Sequence, residues 1–132
     1  MPTSNRKLLM LAWVQSFYYT LTGAWPLVHV TSFMWLTGPK VDVWLVRTVA
    51  ALLVVTGLVL GGAAKRKYIS LDLVLIAAGE ALVLAAVDVI YALIGRISPI
   101  YLLDAVVETA LAVLWALWSN RRGTTEAATR SV

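Results

Sequence analysis

Residues 43–64, VWLVRTVAALLVVTGLVLGGAA, hold one charged side chain, Arg47, in twenty-two positions. A hydrocarbon core of about 30 Å needs about 20 mostly apolar helical residues to cross it, so this stretch alone predicts a membrane-spanning helix. Three further stretches qualify: 8–36, which has no formal charge, 69–94 and 99–119. The segments between them carry turn chemistry. Thr37-Gly38-Pro39-Lys40 reads as a turn with Asp42 as N-cap of the second helix, and Ser70 or Asp72 opens the third. Gly95 closes the third helix, with Ser98 as N-cap and Pro99 at the first position of the fourth. The expected fold is all-α, an integral membrane bundle of four antiparallel transmembrane helices. It forms a single domain over residues 1–120, and 121–132 is a short polar cytoplasmic tail expected to fray.

Composition agrees. Of 132 residues, 61% are hydrophobic and 14% charged, with a mean hydropathy of +0.83. A soluble domain is about half apolar and a quarter charged, and a short chain needs that polar surface to cover its core. Disorder is excluded by the same figures. The absence of cysteine excludes disulfide scaffolds, thiol catalysis and cysteine-ligated metal.

The pI near 9.7 would suit a nucleic-acid partner, but the placement of the bases argues against one. Eight of eleven, Arg6, Lys7, Lys65, Arg66, Lys67, Arg121, Arg122 and Arg130, fall on one side of the spans. Lys40, Arg47 and Arg96 fall on the other. The basic side is cytoplasmic by the positive-inside rule, so both termini are expected there, in a multi-pass protein of a cell membrane, the bacterial inner membrane. Arg6-Lys7 before an apolar run resembles a signal-peptide start, but no A-x-A-like cleavage site follows and an uncleaved span is expected.

The first span is too long and too polar for a plain crossing. Its 29 residues would reach roughly 43 Å as one helix. Pro26 cannot donate to the Thr22 carbonyl and Gly23 loosens the same turn, so a kink or break near Pro26 is expected. Residues 27–36 then either bend inward or lie along the interface. Gln15, Tyr18, Thr22, Trp25, His29 and Ser32 recur at spacings of three and four, which keeps them on one helical face. That face reads either as interfacial anchors and helix-to-helix glue or as one wall of a cavity.

Four acids fall inside predicted spans: Glu80 and Asp88 on the third, Asp104 and Glu108 on the fourth. Two ionised acids in one span cost roughly 5–7 kcal/mol, about what its dozen apolar residues return, so they must be protonated, paired or facing water. Counting from the helix ends at about 1.5 Å per residue places His29, Arg47, Asp88 and Asp104 in one layer of the outer half. Tyr91 and Tyr101 lie just above it, and Glu108 one turn deeper. Asp104 and Glu108 share a face and repel each other. Candidate ligand- or proton-binding residues are therefore His29, Arg47, Glu80, Asp88, Tyr91, Tyr101, Asp104, Glu108 and Trp25. The competing reading is an ion-pair network, Arg47 with Asp88 or Asp104, that only fixes helix register. A single His without ligand spacing gives no ground to expect a metal, and no cofactor motif is present.

Three functions fit this pattern. An acidic, aromatic-lined pocket suits binding or transport of a small lipophilic or cationic ligand, with protons competing for the acids. In size, helix count and an intramembrane acid this plan resembles small multidrug transporters, a likeness of layout that carries no motif. Alternatively, His29 and a carboxylate could move protons on a lipid substrate, a layout similar to four-helix sterol-isomerase-type proteins, again without a shared motif. The third is an accessory subunit bound to a larger membrane partner or to a second copy of the chain. The bilayer itself is the one partner common to all three.

Overall fold

In the computed structural model, which describes residues 4–131, the chain forms five α-helices. They are α1 (Arg6–Val28), α2 (Val30–Thr37), α3 (Val43–Lys65), α4 (Leu71–Leu93) and α5 (Tyr101–Arg130). Three of them, α3, α4 and the 101–120 portion of α5, are long and apolar enough to cross a membrane. At 23 residues, α1 matches α3 in length, but Gln15, Ser16, Tyr18 and Tyr19 dilute its apolar content.

The break in the first predicted span comes later than expected. Pro26 is accommodated inside α1, whose last backbone bond, His29 N to Trp25 O, is intact at 2.9 Å. The chain turns extended at His29 (φ −146°, ψ 80°), which ends α1 and caps α2 by accepting from Ser32 N on Nδ1 at 3.2 Å. Trp25 Nε1 donates to Ser32 Oγ across this corner. The break lies at His29 because this residue can cap α2 with its side chain, an option Trp25, just before the proline, does not offer.

Other termini shift by a residue or two. Ser70 caps α4 through Leu73 N, as expected, and Gly95 (φ 76°) closes it, with Arg96 N reaching back to Tyr91 O at 2.8 Å. Asp42 occupies the N-cap of α3 but makes no capping bond. The start of α5 is later than Pro99: bonds of Tyr101 N to Ser98 O and Leu102 N to Pro99 O form a tight turn that leads into the helix. At its other end, α5 continues through the polar segment to Arg130 instead of ending near Ser119. Beyond Asn120 no proline interrupts the backbone ladder, and Arg130 in the last turn complements the helix dipole.

Packing follows the small residues. Ala50, Gly57 and Leu60 of α3 are buried against α1. A Cβ at Gly23 would lie 2.6 Å from Ala50 O, and one at Gly57 would lie 3.0 Å from Ser16 O. The Ser16 hydroxyl closes this interface by donating to Gly57 O at 2.6 Å. Thus Gly57 and Gly61, spaced as a helix-pairing motif, serve contact within the chain. Buried Ala77, Ala81 and Ala85 let α4 lie close to α5. The start of α1 is tied to the α3–α4 connection, since Ser4 N donates to Lys67 O and Ile69 N to Ser4 Oγ. By contrast, α3 and α4 touch only slightly, and that gap shapes everything below.

Candidate functional site

A cavity of about 690 Å³ opens at the end of the molecule that carries α2 and the α4–α5 connection. Every helix contributes to its wall. From α1 come Tyr18, Thr22 and Trp25, from α2 Phe33 and Thr37, and from α3 the apolar Val46, Val49 and Leu53. Leu84 and Asp88 come from α4, Tyr101, Asp104 and Glu108 from α5. One turn apart, Asp104 and Glu108 necessarily share a face, and Asp88 reaches the same space from the neighbouring helix.

Each acid has a different environment. Glu108 is 2% exposed, and its Oε2 accepts from the Tyr19 hydroxyl at 2.9 Å. Asp104 accepts from the Tyr18 hydroxyl on Oδ1. Asp88 is 5% exposed; its Oδ2 meets no donor group among the described residues, and its carboxyl group stands within side-chain hydrogen-bond reach of Asp104. No basic side chain is bonded to any of the three among the described residues. Three carboxyl groups in one apolar-walled space are stable only if protons or a cation offset their mutual repulsion.

Bases instead hold the rim. Lys40 Nζ stands 4.9 Å from the centre of the Tyr101 ring and donates to Thr37 O. Arg96 and Asp42 also face the opening. Beneath the acids the polar set continues into the core: Trp115 Nε1 donates to Gln15 Oε1 at 2.6 Å, and Gln15 Nε2 donates to Ala77 O. Gln15 thus joins α1, α4 and α5 at one point.

Of the nine residues singled out from the sequence, Trp25, Asp88, Tyr101, Asp104 and Glu108 meet at this cavity. The other four lie elsewhere. His29 is exposed at the α1–α2 corner, with Nδ1 engaged in capping. Arg47 is exposed on α3 and pairs with neither Asp88 nor Asp104: close to a helix end, a long side chain reaches outward at less cost than burying an ion pair. Tyr91 is exposed beyond the edge of the lining. Glu80 lines a separate groove between α3 and α4, where it accepts from Thr56 Oγ1 at 3.1 Å. Eight helical residues turn about 80° past whole turns, which carries Glu80 out of the cavity that Asp88 faces.

Tyr19, Lys40, Asp42 and Arg96 were not foreseen as site residues. A tyrosine one position from the Tyr18 stripe looks like a different face, and only its match in depth to Glu108 could have flagged it. Among the described residues no three His, Asp or Glu side chains converge as metal ligands would. No protein-family model, curated protein or solved structure matches the chain.

Proposed function

We propose that this chain is a four-span membrane protein that binds or transports a small lipophilic cation in the acidic cavity, with protons competing for the same carboxylates. In this reading α1 with α2 forms the fourth span, the helices alternate in direction, and the eight bases on one side keep both termini cytoplasmic. The cavity then opens toward the outer face of a cell membrane, the bacterial inner membrane.

The observation that supports it is Asp88, buried at an aromatic-walled cavity beside two further acids, with Asp104 within side-chain hydrogen-bond reach and no base bonded to either among the described residues. A carboxylate so placed attracts a cation, and the ring of Trp25 offers a face for one.

The test is equilibrium binding of tetramethylammonium and of tetraphenylphosphonium to the protein in nanodiscs of neutral lipid. Asp88→Asn and Glu108→Gln should each weaken binding at least tenfold. Lowering the pH from 8 to 5 should weaken it too, since protonation removes the attracting charge. Binding indifferent to both variants and to pH would reject the proposal.

A further inference from the structure

The acidic cavity shares a wall with a second space. Val49 and Leu53 of α3 and Leu84 of α4 line it and also line the groove where Glu80 lies. That groove, about 440 Å³, runs between α3 and α4 because those helices scarcely touch. Its remaining lining is apolar except for Glu80, and Leu52, Leu75, Ile76 and Val83 are exposed along it. On the α4 side a glycine forms the floor. A Cβ at Gly79 would meet nothing within 4 Å, so the space beside it is empty.

Resting on the proposed cation site, we infer that the ligand is a membrane-resident cationic amphiphile with a single aliphatic chain. Its head sits among Asp88, Asp104 and Glu108, and its chain leaves sideways through the α3–α4 groove. Two observations fit this occupant. Charge is complementary at one end only, where three acids meet without a bonded base. The other end adjoins the first across Val49, Leu53 and Leu84, and is apolar and open along helices long enough to cross a membrane. From Asp88 to Leu75 is thirteen residues of α4, roughly 20 Å, so the groove is long enough for an extended chain and runs past the middle of the roughly 30 Å hydrocarbon core.

A chain in this groove exchanges lipid contacts for Leu and Val contacts and is nearly neutral in free energy. The groove therefore adds little attraction of its own but gives the chain its exit: a molecule already in the bilayer can present its head without withdrawing its chain, and with the groove filled the chain has no place to go while the head is bound. A ligand that had to enter from water would not need the α3–α4 gap.

The experiment compares tetramethylammonium with tetradecyltrimethylammonium, radiolabelled, on nanodisc-embedded protein with empty nanodiscs subtracted. Gly79→Leu fills the groove from a position where a Cβ meets nothing, and Leu52→Trp fills it from the α3 side should Gly79→Leu fail to give a folded, monodisperse protein. The expected result is that either variant weakens the long-chain ligand at least tenfold and leaves the short one within twofold. If the long-chain affinity is unchanged, or both ligands weaken equally, the inference is overturned while the cation site stands. If the unaltered protein binds neither ligand, the cation site itself is rejected and the inference with it.

Discussion

The hydroxyl of Tyr19 on α1 donates to Oε2 of Glu108 on α5 across 2.9 Å, joining residues 89 positions apart at a point where both are fully buried. It is one of two Tyr-to-carboxyl bonds that hold α1 against α5, the other running from Tyr18 to Asp104. Adjacent tyrosines thereby hold both acids of one helix face, and the bonds set where the carboxyl groups stand in the cavity.

Tyr19→Phe keeps the ring and removes the donor. Glu108 would then be buried with that oxygen unsatisfied, so stability should fall by about 1–2 kcal/mol, between the small mean for intramembrane hydrogen bonds and the larger value for a charged acceptor. Thermal unfolding in a mild detergent checks this. In combination with Glu108→Gln the cost should be less than the sum of the two single costs, because the bond can be lost only once.

Gln15 gives a second such cycle. With its amide gone in Gln15→Leu, Trp115 Nε1 is buried without an acceptor, and in Trp115→Phe the Gln15 carbonyl is orphaned instead. Each single change should cost about 1–3 kcal/mol. Made together, they should cost at least about 1 kcal/mol less than the sum, since an apolar pair leaves no unmet group on either side. Strict additivity in unfolding measurements would show that this bond does not brace the three helices.

Gly57 and Gly61 separate intramolecular packing from self-association. Gly57→Ala pushes a methyl against the Ser16 carbonyl, part of a helix backbone, and should destabilise by about 1–3 kcal/mol despite the gain in helix propensity. Gly61→Ala meets first the Ser16 hydroxyl, a side-chain atom whose displacement forfeits its bond to Gly57 O but moves no backbone, and should cost less. Neither change should alter the particle mass by light scattering, since this face is occupied within the chain.

The helical fold was legible in the sequence to the extent that lipid imposes it. A bilayer requires long apolar helices, and 43–64 and 69–94 could hardly be read otherwise. The site was legible in part. Asp88, Asp104 and Glu108 stood out because acids inside such helices are costly wherever they point. Their partners did not, because a tyrosine such as Tyr19 costs little in a membrane helix and leaves no trace in an apolar pattern. Arg47 and Tyr91 show the opposite failure. Counting residues from a helix end gives a depth, but azimuth near a helix end is set by packing, and a one-face argument drifts with each turn. His29 failed for another reason: the stripe from Gln15 to Ser32 assumed one continuous helix, and the chain breaks at His29 itself.

Asp88 separates a functional cavity from a structural brace. Its Oδ2 meets no donor group among the described residues, and Asp104 stands within side-chain hydrogen-bond reach, so the native carboxyl group is poorly solvated and faces a like group. Asp88→Asn keeps the shape, removes the charge and supplies an amide N–H that can donate to Asp104. If the acid is held for ligand binding, this variant should be more stable than the native chain by about 1 kcal/mol, as expected where a site is built at the expense of stability. Asp88→Leu, which removes the polar group altogether, should be no less stable than the native chain. Both should lose cation binding. A drop of several degrees in the melting temperature for Asp88→Asn, with cation binding retained, would instead make Asp88 part of the scaffold, and the cavity would have to be read from Asp104 and Glu108 alone.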